Sequence, residues 1–128
     1  MIFVFGSNEQ GIHGAGSAKA AVTSHGAVLH QGFGPQGSSF AIPTCKVPVG
    51  RPGWGLDFAT LGYYVECFLA YAEKHPDLRF QVTQIGCGHA GWLAYQVAPL
   101  FKSAPPNCLF DTAWMKYLGE DHKYWGNF

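Results

Sequence analysis

The chain has 128 residues, 48% apolar and 12% charged, with a formal net charge of zero. That length suits one domain with a substantial core, and the charge balance, with no basic stripe, argues against a nucleic-acid binder that works by bulk electrostatics. No apolar run is long enough to span a bilayer and no export-signal grammar opens the chain, so the expected location is the cytoplasm.

In chain order, residues 2–5 read as a short buried strand. Gly6-Ser7-Asn8 breaks it, and Gly11-Ile12-His13-Gly14-Ala15-Gly16 leads into a helix expected over 15–24. A strand over 27–30, a turn-rich loop over 32–37 and a proline-ended strand over 39–43 follow. Residues 47–55 form a proline- and glycine-rich loop. The strongest helix is expected over 57–74, where Phe58, Leu61, Val65, Phe68 and Ala72 recur at three- and four-residue steps and Pro76 stops the run. Residues 79–85 are expected as the central strand, followed by the second glycine loop over 86–91 and a helix over 93–102. A last strand over 107–110 and a short closing helix over 113–118 complete the pattern. Strands alternating with helices predict a layered α/β domain, whose ligands sit at the carboxyl ends of the strands. Both glycine loops and Pro43-Thr44-Cys45-Lys46 fall there.

The glycine loops carry the chemistry. Strand, glycine loop and helix together cradle phosphate, because glycine lets main-chain N–H groups approach an anion and a helix N-terminus adds partial positive charge. Two loops of this kind, one at 11–16 and one at 86–91, predict a ligand with two phosphates; the alternative is a pair of tight turns that need glycine for backbone reasons alone. The second loop is neither a Walker loop nor a dinucleotide fingerprint of the usual spacing. Asn8 offers an amide to a ribose hydroxyl or a leaving-group oxygen, or else closes the strand as an Asx-turn. His13 and His89 each sit inside a glycine loop and are candidate general acids or bases, or ordinary loop residues. His25, His30, His75 and His122 read as structural or surface residues.

The four cysteines show no C-x-x-C pair and no framework spacing, so neither a zinc site nor a disulfide scaffold is expected. Cys67 and Cys108 read as small core hydrophobes, and Cys87 beside a glycine turn reads as backbone packing ahead of a nucleophile. Lys46 is a candidate contact for a negatively charged substrate. Among the aromatic residues, Trp92 beside the second loop is the one placed to stack a purine.

Taken together, Phe3 to Asn8, Gly11 to Lys19, Gln36 to Thr44 and Ile85 to Gly91 resemble a family of small macro-domain-like proteins common in bacteriophage and prophage genomes. The resemblance runs from Met1 to about Phe110. It implies a single macro-domain-like domain: a three-layer α/β/α sandwich with a mixed sheet and a cleft for ADP-ribose or a related adenine nucleotide. By the same resemblance Asn8 falls where the distal ribose is contacted, Gly14, Ala15 and Gly16 fall on the first glycine loop, and Gly86, Cys87, Gly88, His89, Ala90 and Gly91 fall on the loop that wraps the diphosphate; Gly6, Ser7, Thr44 and Trp92 complete the expected ligand-binding set. Ile42-Pro43-Thr44 looks like the Pro-Thr-Lys stretch of macro domains that remove ADP-ribose from DNA, in which the lysine is catalytic. Here Cys45 holds that place and lysine follows one residue later at Lys46. Three readings result: a binding module or nucleotide-signal sponge; an ADP-ribosyl hydrolase assisted by Asn8, His13 or Lys46; and a structural domain whose glycine loops are only turns. No cofactor, metal or membrane is expected in any of them.

Overall fold

In a computed structural model that describes residues 1–127, the first strand, β1 (Ile2–Asn8), lies inside the sheet and is covered on both faces. Its side chains alternate. Phe3 and Phe5 pack with Ala41 and with Ala18 and Ala21 of helix α1 (Gly16–Ser24), whose small residues let that helix lie close to the sheet. Val4 faces the opposite core, which holds Phe40, Ile42 and the buried stripe Leu61, Val65, Phe68 and Ala72 of helix α2 (Phe58–Lys74). Strands buried on both faces read as continuous apolar runs, and β3 (Ser39–Cys45) is buried at every position.

The sheet has six strands in the order β2-β3-β1-β4-β5-β6, with β2 at Gly34–Gln36, β4 at Phe80–Val82, β5 at Cys108–Asp111 and β6 at Lys123–Gly126. Among the described residues only β2 is antiparallel to its neighbour, so the sheet is mixed. Helices α2, α3 (Ala94–Val97) and α4 (Met115–Leu118) contribute Leu61, Val97 and Leu118 to one core, and α1 contributes to the other. The fold is therefore α/β with helices on both faces, compatible with a three-layer sandwich. Among the described residues no helix is long and apolar enough to cross a membrane.

Several elements depart from the sequence expectation. Residues 27–30 form no strand: the Val28 N–H donates to Gln36 Oε1 at 2.7 Å and its carbonyl is bonded by His13 at 2.8 Å, so side chains satisfy the groups a ladder would use. The expected loop at 32–37 instead holds β2, joined to β3 by Gly37-Ser38 with Gly37 at φ +56°, as a two-residue hairpin turn demands. Pro35 fits there because β2 is an edge strand. β4 is shorter than 79–85, because the Thr83 N–H and hydroxyl both turn to the Val4 carbonyl, at 3.2 and 2.8 Å. The helix expected over 93–102 is a four-residue α-turn followed by a 3₁₀ turn, Ala98–Phe101, where Pro99 removes a helical donor. The edge strand β6 was not expected; Trp125 anchors it through an indole N–H donated to the Val82 carbonyl at 2.9 Å.

Phe68 is fully buried, with its ring 5.0 Å from Phe40, 5.3 Å from Phe80 and 6.3 Å from Phe101. Phe68→Ala should lower the unfolding free energy by about 3–5 kcal/mol, read from urea melts; a loss below about 1 kcal/mol would show that this ring does not hold α2 to the sheet.

Candidate functional site

A cavity of about 390 Å³ opens at the carboxyl ends of β1 and β3 and beside the segment after β4. The topology creates it. From β1 the chain passes through α1 to β2 and β3 on one side; from β3 it crosses through α2 to β4 on the other side of β1. Connections that diverge at neighbouring strand ends leave a crevice, the usual place for a ligand in open α/β sheets.

The first glycine loop is held from within. Asn8 Nδ2 donates to the Ile12 carbonyl at 2.9 Å, and the Ile12 N–H donates to Asn8 Oδ1 at 3.1 Å. The Asn8 amide is thus buried and closes the loop through this reciprocal pair of bonds four residues on, rather than standing exposed, although each of its polar atoms keeps capacity for one further bond. His13 is also buried. Its Nε2 lies 2.8 Å from the Val28 carbonyl and its Nδ1 lies 2.6 Å from Ser7 Oγ. A carbonyl only accepts, so in the neutral ring Nε2 donates and Nδ1 accepts the Ser7 hydroxyl. A Cβ at Gly11 would lie 2.4 Å from His30 and Gln31 backbone, and one at Gly32 would lie 2.3 Å from the Asn8 carbonyl oxygen. These two glycines therefore serve close backbone approach. Tyr64 on α2 donates its hydroxyl to Glu9, and that bond, with burial as the larger cause, pushes its pKa up to about 12.

Trp92 shapes the second loop from behind. Its indole N–H donates to the Thr44 carbonyl at 3.2 Å, its ring lies 5.7 Å from Phe58, and a Cβ at Gly86 (φ +75°) would meet it at 2.9 Å. The Thr44 hydroxyl in turn donates to the Ser7 carbonyl at 3.0 Å, tying β3 to β1 at the cavity rim. Gly14 and Gly88 line the cavity, and a Cβ added at either meets nothing within 4 Å. At the start of α1, Ala15 makes no side-chain cap and the first turn holds no acidic residue; Gly16, Ser17 and Ala18 all line the cavity.

Most of the expected site residues meet here. Gly6, Ser7, Asn8, Gly14, Ala15, Gly16, Thr44, Gly86, Gly88, His89 and Ala90 share the one cavity wall. His13 does not line it, because its ring is turned inward to Ser7 and Val28. Lys46 does not line it either: it is exposed, its N–H donates to Trp54 O at 2.8 Å, and it is Cys45, one place earlier, that faces the cavity. Trp92 and Gly91 stand outside the wall, so Trp92 packs behind the loop instead of offering a face to a purine. Cys87 lines an adjoining cavity of about 470 Å³ that shares Gly16, Ser17, Gln84 and Gly88 with the first. The second loop also does not feed directly into a helix, since α3 begins only at Ala94. Sequence reasoning missed Val47, Pro48 and Val49, which line the cavity because a bridge between Cys45 and Gly55 folds the 47–55 loop back over it. It also missed Gln84, whose amide donates to the buried Asp111 carboxylate at 3.1 Å.

Among the described residues no aspartate, glutamate, lysine or arginine lines the main cavity. Burial raises the pKa of Cys45, and pushes that of Cys87 up to about 11, so both thiols are uncharged at neutral pH. Main-chain N–H groups, small hydroxyls, the Asn8 and Gln84 amides and the His89 imidazole are left to contact a ligand, a set suited to binding an anion through the backbone. No protein-family model, curated protein or solved structure matches this chain.

Two outcomes follow from these contacts. His13→Leu should destabilise the fold by about 1–3 kcal/mol, because it leaves the Ser7 hydroxyl and the Val28 carbonyl without their partner; an unchanged melting curve would refute the clamp. Cys87 should resist iodoacetamide near neutral pH, since its thiolate is a small fraction well below its pKa of about 11, and should react faster as pH rises toward that value. Adduct mapping by mass spectrometry checks this, and rapid labelling of Cys87 at neutral pH would contradict it.

Proposed function

We propose that this chain is a macro-domain-like module that binds ADP-ribose or an ADP-ribose-containing nucleotide in the cleft between its two glycine loops. The observation that carries the reading is the convergence of both loops on one cavity at the diverging strand ends. Its volume of about 390 Å³, with the adjoining 470 Å³, is the scale of small-molecule sites. The motif resemblance supplies the identity of the ligand. The open backbone at Gly14 and Gly88 and the uncapped start of α1 supply the contacts a diphosphate needs.

Binding is favoured over hydrolysis by what stands at the carboxyl end of β3, the place where a lysine would have to meet the charge developing in cleavage of an ADP-ribosyl bond. Cys45 lines the cavity, and by the motif resemblance it holds the place where DNA-directed macro domains keep a catalytic lysine; a thiol cannot carry that positive charge. Lys46 is exposed and does not line the cavity.

Calorimetry with ADP-ribose tests the reading. Binding should be seen, and ligand at a hundred times its dissociation constant should stabilise the fold by about 2.7 kcal/mol. Gly88→Val should melt like the parent and lose most of that binding, because the added side chain enters space the phosphates need. Unchanged binding by Gly88→Val, or no binding of any adenine diphosphate ligand at millimolar concentration, would overturn the assignment.

Wild-type protein should bind without efficient turnover of ADP-ribosylated DNA, Lys46→Ala should bind as wild type does, and Cys45→Lys should gain measurable release of ADP-ribose. Rapid wild-type turnover that is lost in Lys46→Ala would show instead that the shifted lysine does the chemistry.

A further inference from the structure

We infer that His89 is the residue that selects a phosphate-bearing ligand over a neutral nucleoside, by supplying the one basic side chain that the cavity wall presents among the described residues. The inference rests on the nucleotide-binding reading above and adds the origin of its charge selectivity.

His89 is exposed, lines the cavity from the second loop, and reaches across to the first. A Cβ built at Gly16, the first residue of α1, would lie 3.9 Å from His89 Cδ2, in van der Waals contact with the ring. The imidazole therefore sits beside the N-terminus of a nine-residue helix that lacks both an acidic first turn and a side-chain cap. An anion held there meets helix N–H groups and the imidazole together.

The surrounding ionisable groups sharpen the role. From β3 the wall presents Cys45, whose thiol burial keeps protonated. From β1 it presents Ser7 and Asn8; Glu9, next in sequence, lies outside the wall and pairs with Tyr64. Lys19 on α1 and Lys46 and Arg51 after β3 are exposed and do not line the cavity. On the side of β4, Asp111 stands behind Gln84 and accepts its amide, and Cys87 faces the adjoining cavity. Among the described residues, His89 is thus the wall's only basic side chain. Because anion binding favours the protonated ring, affinity for a diphosphate rises as pH falls. The phosphates of a diphosphate diester stay ionised over the same range, so the change belongs to the protein.

The experiment is calorimetric titration of the intact chain with ADP-ribose and with adenosine, from about pH 8 to about pH 5.5, the interval in which imidazoles titrate. Wild-type affinity for ADP-ribose should tighten by about fivefold on acidification, the scale of one solvent-exposed ion pair, while adenosine shows no such trend. His89→Gln should bind ADP-ribose with no pH trend, at the weaker affinity the wild type has at high pH. His89→Lys should bind tightly at both ends of the range. ADP-ribose binding that is pH-independent in wild type, or a trend that survives in His89→Gln, overturns the role of His89 and leaves the nucleotide-binding reading intact. Absence of ADP-ribose binding at every pH overturns both.

Discussion

The parallel pairing of β1 with both β3 and β4 is the constraint on which the rest depends. It buries β1 on both faces, so Phe3 and Phe5 serve one core and Val4 the other. It also brings three strand ends to one edge of the sheet while the chain leaves them in opposite directions. The cavity is the space left by that divergence, and its wall is built from whatever residues stand at the strand ends. Moving β1 by one residue would exchange the faces of Phe3, Val4 and Phe5, and with them the position of Ser7 and Asn8 at the rim.

Polar side chains then fix the backbone around that space. Asn8 grips Ile12, His13 bridges Ser7 and Val28, Thr44 reaches Ser7, and Trp92 reaches Thr44. Each of these groups satisfies a main-chain or hydroxyl partner, as buried polar atoms must. Between them, glycines and small residues leave backbone open along the two loops. A rigid loop with an open backbone is thereby produced, which lowers the ordering cost of binding an anion through N–H groups.

How far the sequence discloses this depends on the range of the interactions involved. The glycine loops were legible because φ preferences act locally, and α2 was legible because its apolar spacing is regular over 17 residues. The destinations of His13 and Trp92 were not. His13 turns inward because of a carbonyl 15 residues away, and Trp92 packs behind Gly86 because of one 48 residues away. Strand β6 was hidden for the same reason, since Lys123-Tyr124-Trp125-Gly126 is short and partly exposed and pairs only because β5 offers an edge. The segment at 27–30 looked like a strand by composition, yet Gln36 and His13 already occupy the Val28 backbone groups. The one-residue offset between Cys45 and Lys46 was visible in the sequence. Which of the two faces the cavity emerges only from the fold.

The most direct test of the central claim is an amide-resolved NMR titration of the chain with ADP-ribose. The largest shifts should fall on the N–H groups of Asn8 to Ala18 and Gly86 to Ala90, with Gly14, Gly16 and Gly88 among the strongest. Shifts that concentrate on α2 and α4, or that are absent at millimolar ligand, would contradict the account.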